Sequence, residues 1–177
     1  TVQKSGSDAA IIRIHNKDKA IAVSVDSSAN YCKSYPLTGG KQIVCENWRN
    51  LISVGAKPLA ITNCLNFGNP ENQEIMGEFA ECLEGVKEAC NFLNYPVVSG
   101  NVSFYNGTNK KNIYPTPVIG GVVLIKTLST PMSHKFKKEN STLILIGKTF
   151  GHLEQSCFLK ENYSIIEGMP PEINLLN

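Results

Sequence analysis

The chain has 177 residues, with 17 basic and 15 acidic side chains and a formal net charge of +2. This near balance gives no electrostatic basis for binding nucleic acid or an anionic membrane surface. No apolar run approaches the roughly 20 residues that span a bilayer, and no signal-peptide pattern opens the chain. The length suffices for one full domain and the start of another.

Six cysteines occur, at positions 32, 45, 64, 82, 90 and 157, without a C-x-x-C pair or a metal-ligand rhythm. They predict buried or half-buried free thiols in a reducing compartment, which favours the cytoplasm. Four N-x-S/T sequons begin at Asn101, Asn106, Asn140 and Asn162. In an Asn-rich chain without a signal peptide, we interpret these sequons as chance matches.

Two runs rich in β-branched residues, Ala10–Ile14 and Ala20–Val25, predict two strands joined by a polar turn. A helix is predicted to open at Gly39-Gly40, because apolar side chains then recur three and four residues apart, and Gly55 supplies its stop. Leu59–Leu65 predicts the third strand.

The second helix has the strongest pattern. Asn69 is predicted to cap it, Pro70 suits its first position, and a continuous apolar stripe runs from Ile75 to Leu93. The fourth and fifth strands are predicted over Val97–Tyr105 and Val118–Lys126.

The predicted order is β-β-α-β-α-β-β, an α+β domain with a mostly antiparallel sheet and helices on one face. We expect this domain over residues 1–128 and a polar linker over 129–141. Residues 142–177 are predicted to be the truncated start of an α/β domain, with a strand at Leu143–Gly147 and a helical stretch over Gly151–Lys160.

The segment Val98–Ser103 carries the first candidate site. Its strand is predicted to be buried, and Gly100 lets a ligand approach the main chain closely because it has no Cβ. Asn101 and Ser103 follow at period two, so an amide oxygen and a hydroxyl point to one face. The structural alternative is a polar strand end whose Asn101 amide caps a turn.

A second segment, Asn63–Glu71, contains three Asn and one Gly between a strand and a helix. Here the chain resembles the synthetase subunit of the phosphoribosylformylglycinamidine synthase family, over about residues 8–175 in one register. The resemblance is to the second half of that subunit, and these stretches carry it: Asp8–Arg13, Arg49-Asn50, Val54–Ala60, Leu65–Pro70, Pro96–Ser103 and Pro115–Gly120.

The resemblance implies an ATP-dependent ligase of purine biosynthesis. In the family, ATP activates the formamide oxygen of formylglycinamide ribonucleotide, and ammonia derived from glutamine then displaces phosphate. A sheet domain precedes an α/β domain, and the pair is repeated as a pseudo-dimer, of which this chain resembles the second copy. The catalytic histidines belong to the first copy, so we expect no catalytic residue here and no activity of this fragment alone.

The resemblance also assigns roles to four residues. Asn63 and Gly100 are expected to contact ATP, Asn101 to ligate Mg²⁺, and Ser103 to touch the ribonucleotide. Asn63 departs from the family, where an Asp is usual, and this loss of charge weakens any contact to a cation. The stretch Gly151–Ser156 also departs, because related chains carry a Gly-Gly-Ser turn suited to binding phosphate.

Expected partners are the ribonucleotide, ATP, a glutaminase and a small bridging subunit or domain, the rest of the parent chain, and a second copy in a homodimer. Two alternatives remain open: a catalytically silent nucleotide-binding half of the pseudo-dimer, and a free-standing nucleotide-binding module.

Asp26 is interpreted as a turn residue or a cation ligand, and His15 as a surface residue rather than a catalytic one.

Overall fold

The computed structural model describes residues 2–3, 5–129, 131–136, 138–148 and 150–175. Seven positions lie outside the described residues. Positions 1 and 4 belong to the predicted domain over 1–128, positions 130 and 137 to the predicted linker, and positions 149, 176 and 177 to the predicted last segment. The elements in chain order are β1 Ala10–Arg13, β2 Ala20–Asp26, α1 Ala29–Ser34, α2 Pro36–Ser53, β3 Ile61–Asn66, α3 Gln73–Leu93, β4 Val97–Ser103, β5 Gly107–Thr108, β6 Lys111–Asn112, β7 Thr116–Ile125 and α4 Cys157–Tyr163.

The main sheet has five strands in the order β1-β2-β7-β3-β4. The pairs β1-β2, β2-β7 and β7-β3 are antiparallel, whereas β3 and β4 are parallel because α3 carries the chain back between them. The predicted α+β class with a mostly antiparallel sheet is confirmed. A register shift lies between Ile61, which pairs with Val97, and Thr62, which pairs with Ser99.

Both long helices cover one face of the sheet. Side chains of α2 and α3 such as Ile43, Leu51 and Ala89 pack on inward-facing strand residues such as Ile119 and Ile11, all of them fully buried. The opposite face, which we call the outer face, is exposed, and its apolar members alternate with buried residues along β1, β2 and β7. The outer-face residues above 45% exposure on these strands are Ile12, Val25, Val122 and Leu124.

The crossing of α2 and α3 is close because each helix places a glycine against the backbone of the other. A Cβ at Gly40 would overlap Cys82 O, and a Cβ at Gly85 would overlap Leu37 O. Only residues without a Cβ allow this approach. The two glycines therefore set the distance between the helices, and through α2 they set the position of both helices over the sheet.

The helix boundaries differ from the predicted ones. α2 begins at Pro36, before Gly39-Gly40, and it follows a six-residue helix, α1, that the sequence pattern did not reveal. The cap of α3 is Asn72, whose side chain accepts a hydrogen bond from Glu74 N, and not Asn69. Asn69 instead accepts from Glu71 N in the preceding turn, where Pro70 lies outside the helix.

The predicted strand at Leu143–Gly147 is wrong. The segment has no strand structure, and Ile144 and Ile146 are 79% and 91% exposed. A β-strand needs a neighbour to satisfy its backbone groups, and this run pairs with no described strand. The helical stretch predicted over Gly151–Lys160 is partly correct, because α4 begins at Cys157 with Ser156 as its cap.

Within the described ranges, no helix is both long and apolar enough to cross a bilayer. The six cysteines are all free, and five of them are buried or half-buried, as the sequence predicted. Cys157 is the exposed one.

Candidate functional site

The carboxyl ends of β3 and β4 lie side by side and bring the two candidate segments together. Their parallel register pairs Asn63 with Gly100, Cys64 with Asn101, and Asn66 with Ser103. β4 is the last strand of the sheet, so half of its main-chain groups face an open side, which we call the β4 edge. The prediction that this strand is buried is wrong: six of its seven residues are exposed, because no strand covers its far side.

Asn63 and Gly100 form a contact on the helix side of the sheet. Asn63 alternates with the buried Ile61 and Leu65, and its side-chain oxygen lies directly over Gly100, where a Cβ would overlap it. The glycine therefore accommodates the Asn63 amide as well as any ligand at the edge. Neither Asn63 nor Asn101 makes a side-chain hydrogen bond with the described residues.

Asn101 and Ser103 project from the outer face, opposite to Asn63. Their strand partners Cys64 and Asn66 alternate with the inward-facing Leu65, and side chains of paired residues share a face. The structure thus separates the four predicted site residues into two groups on opposite faces. Only a ligand lying along the β4 edge can reach both groups.

Two further asparagines hold the loops beside this site in place, and neither contact was predicted from the sequence. Asn106 Nδ2 donates to Phe67 O at 3.0 Å and to Ser103 O at 2.9 Å. Asn112 Oδ1 accepts from Asn69 N at 2.9 Å, which holds the β5-β6 hairpin against the loop after β3. The only sequence signal at Asn106 was its sequon.

Asp26 does not lie in a turn, because it is the last residue of β2. It is 9% exposed at the end of β2, and its carboxylate accepts from Ser24 Oγ at 2.6 Å, Asn47 Nδ2 at 2.8 Å and Asn50 Nδ2 at 2.7 Å. Tyr95 completes the network by donating from its hydroxyl to Asn47 Oδ1 at 2.8 Å. Neutral donors therefore satisfy this buried carboxylate.

Two ionisable groups near Asp26, Tyr95 and Glu46, have raised pKa values. Burial raises the pKa of the Tyr95 hydroxyl, which keeps it protonated as the donor to Asn47. Partial desolvation also raises the pKa of the Glu46 carboxyl, and the nearby charge of Asp26 raises it further. Tyr95 is buried against Asn47 of α2, whereas Glu46 lies on the exposed side of that helix.

None of the three histidines, all within the described ranges, belongs to the β4 edge. His134 follows Met132, whose main-chain N–H donates to Val54 O just after α2. His15 lies in the turn between β1 and β2, at the end of the sheet away from Ser103. The ring of His152 lies 3.0 Å from Met169 O, in the segment around α4. No group of three or more His, Cys, Asp or Glu side chains that could hold a metal occurs in the described part of the chain.

Residues 6–125 match the family model described as AIR synthase related protein, N-terminal domain. The whole chain is 60% identical to phosphoribosylformylglycinamidine synthase subunit PurL of Pelagibacter ubique (strain HTCC1062), and it spans 24% of that relative's length.

Two solved structures of Thermotoga maritima PurL also match. The complex with ATP is 38% identical with a TM-score of 0.63, over 71% of this chain and 21% of that one. The complex with FGAR is 37% identical with a TM-score of 0.65, over 71% of this chain and 20% of that one. The resemblance that the motifs predicted is confirmed. The chain belongs to the family of AIR synthase related proteins, whose N-terminal domain it contains.

Proposed function

We propose that this chain is part of a phosphoribosylformylglycinamidine synthase, an ATP-dependent ligase that forms a carbon-nitrogen bond with ammonia derived from glutamine. The identity of 60% to subunit PurL along the entire chain carries the proposal. The solved PurL complexes with ATP and with FGAR support the two substrates. Because the chain spans about a quarter of that relative, we propose that it supplies one wall of the site and that the rest of its own chain supplies the other.

In this proposal ATP lies along the β4 edge, where Gly100 offers its main chain and Asn63 its amide. The Asn63 side chain makes no hydrogen bond with the described residues, and it covers Gly100 on the helix side of the sheet. An amide keeps an acceptor oxygen but carries no charge, so it suits a contact to a hydroxyl or amino group better than one to a cation.

Asn101 is the proposed Mg²⁺ ligand. Its side chain is exposed on the outer face without a described partner, and an amide oxygen is a hard donor of the kind that Mg²⁺ accepts. One amide cannot hold the ion alone, so phosphate oxygens and water must complete the coordination. The bound ion would neutralise phosphate charge that builds up during transfer.

Ser103 is the proposed contact to the ribonucleotide, and no residue of this chain acts as an acid or base. Loop closure by Asn106 keeps Ser103 half-buried at the carboxyl end of β4. The proposed parent uses a glutaminase and a small bridging subunit or domain as partners. Free thiols at all six cysteines support a reducing compartment, and we propose the cytoplasm.

A catalytically silent half that binds nucleotide for stability is the second candidate. The uncharged Asn63 favours it, since a live metal-nucleotide site usually presents a carboxylate. The two candidates differ in the effect of Asn101→Ala in the full-length protein. If the site takes part in catalysis, Asn101→Ala lowers turnover. If it only binds nucleotide for stability, Asn101→Ala lowers the melting temperature and leaves turnover unchanged.

The isolated 177-residue chain should release no phosphate from ATP above the blank when given Mg²⁺, ammonia and formylglycinamide ribonucleotide. No histidine lies on the described part of the β4 edge to act as a general base, and the proposed wall binds only one side of the nucleotide. A protein of the relatives' full length that carries this sequence should release phosphate, and only when the ribonucleotide is present. Steady release by the isolated chain, or no ribonucleotide-dependent release by the full-length protein, contradicts the proposal.

We also propose that the isolated chain forms a homodimer through the outer face. Val25, Val122 and Leu124 leave an apolar surface on strands that helices cover on the other side only. Pairing two such faces in a closed twofold arrangement removes both from water.

Sedimentation should show a dimer at concentrations on the order of 10 µM. Val122→Lys should shift the chain to monomer, because it places a charge in the middle of the buried face. Ile52→Lys is the matched control: Ile52 is 40% exposed on α2, outside the outer face, so the dimer should persist. A monomeric parent chain at this concentration, or equal behaviour of the two variants, argues against the dimer.

A further inference from the structure

The chain reverses sharply just after β4, and this turn brings Asn106 back over Ser103. Tyr105 adopts a left-handed conformation with φ of 59°, which is uncommon for a residue other than glycine. Three main-chain hydrogen bonds hold the turn against the loop after β3: Phe67 N to Ser103 O at 3.0 Å, Tyr105 N to Gly68 O at 2.9 Å, and Asn106 N to Phe67 O at 3.2 Å. A strained residue fixed by so many bonds is typical of a functional turn.

The orientation of the Asn106 amide follows from its neighbours. Its nitrogen lies 3.0 Å from Phe67 O and 2.9 Å from Ser103 O. Both neighbours are carbonyl oxygens, which only accept hydrogen bonds, so the nitrogen and not the oxygen must face them. The two amide hydrogens are thereby used.

This orientation decides how the Ser103 hydroxyl is arranged. Ser103 Oγ lies 3.1 Å from Asn106 Nδ2 and 3.2 Å from Asn106 Oδ1. Because the carbonyl oxygens take the two amide hydrogens, the hydroxyl donates its own hydrogen to Oδ1. The lone pairs of Oγ then remain for a ligand.

We propose that Asn106 is the positioning residue of Ser103, and that it presents Ser103 Oγ as a hydrogen-bond acceptor to a donor group of the ribonucleotide. An N–H of the glycinamide part or a ribose hydroxyl fits such an acceptor, whereas a phosphate oxygen does not. This inference rests on the proposed function, in which Ser103 contacts the ribonucleotide. It adds the residue that orients the contact and the chemical class of the group that is contacted.

The test uses the full-length protein and a double-mutant cycle on KM for the ribonucleotide. Ser103→Ala and Asn106→Ala should each raise KM about threefold to tenfold, the value of one hydrogen bond, with kcat changed by less than about twofold. The double variant should have the KM of either single variant, because both remove the same contact. Additive increases in KM, or a fall in kcat with KM unchanged, would overturn the positioning role.

Asn106→Asp separates the orientation of the hydroxyl from the stability of the loop. The carboxylate still accepts from the Ser103 hydroxyl but donates nothing to Phe67 O or Ser103 O. We expect a melting temperature lowered as in Asn106→Ala and a KM within about twofold of the parent protein. A KM raised as in the Ala variant would mean that the loop tie alone matters. Asn112→Ala, which removes the hydrogen bond between the β5-β6 hairpin and the loop after β3 without touching Ser103, is the matched control and should leave KM unchanged.

Inhibition by inorganic phosphate tests the kind of group that Ser103 contacts. The inhibition constant should be the same in the parent protein, Ser103→Ala and Asn106→Ala. Phosphate oxygens accept hydrogen bonds, so a Ser103 oxygen that itself only accepts cannot bind them. An inhibition constant that rises together with KM would overturn the acceptor assignment. An unchanged KM in Ser103→Ala would instead remove Ser103 from the proposed substrate site, whereas a change in Ser103→Ala without one in Asn106→Ala would overturn this inference alone.

Discussion

Gly85→Ala should be among the most destabilising single substitutions in this chain, lowering the free energy of unfolding by about 3 kcal/mol. The new Cβ would overlap Leu37 O of α2 and would lie 3.0 Å from Lys41 N. Both atoms belong to the backbone of α2, so no side chain can rotate away to make room. The helices must separate, which opens the core between α2, α3 and the sheet.

Gly77→Ala is the matched control, since Gly77 lies in the same helix with nothing within 4 Å of its added Cβ. It should raise the free energy of unfolding by up to about 1 kcal/mol, the difference in helix propensity between Ala and Gly. Urea unfolding followed by circular dichroism measures both variants. Similar midpoints for the two proteins would show that the helices do not meet at Gly85.

Asn47→Leu should lower the free energy of unfolding by about 3 kcal/mol. The side chain is fully buried, and its loss removes a donor from the Asp26 carboxylate and the acceptor of the Tyr95 hydroxyl. Leucine has the same number of side-chain heavy atoms and a similar branched shape, so no cavity is left and the cost comes from buried polar groups without partners.

Asn50→Leu provides the comparison, because Asn50 donates to the same carboxylate at 2.7 Å from a partly exposed position. Water can replace its amide, so a loss of about 1 kcal/mol is expected. Thermal and urea unfolding of both variants measures the two losses in the free energy of unfolding. An equal loss in the two would mean that burial does not control the strength of this network.

The sequence predicted the elements whose apolar residues recur with the period of a helix or strand that packs on the core. α3 has its apolar stripe, and β2 and β7 have β-branched residues, because each packs on one core. α1 is only six residues long, too short for a helical period to be visible. The run Leu143–Gly147 has the composition of a strand, but composition does not provide the neighbouring strand that it needs.

Both motifs of the candidate site were predicted from the sequence, and the structure brings them together at the carboxyl ends of β3 and β4. Its division between two faces was not predicted. Which face a side chain takes depends on the register between strands, and single-sequence patterns do not contain that information across a shifted pair. Asn106 was missed for a related reason, because its role depends on a turn at Tyr105 that places it over Ser103.

The register shift near the start of β4 is the place where this strand can lose one residue without moving its polar side chains. Thr62 pairs with Ser99 because one extra residue, Val98, is accommodated there. If Val98 were deleted, Ser99 would follow Val97 directly, and the pairs from Ile61–Val97 to Asn66–Ser103 would become one continuous ladder. The loss of a residue after the shift has no such place to be absorbed, so the polar side chains beyond it would exchange sides of the sheet.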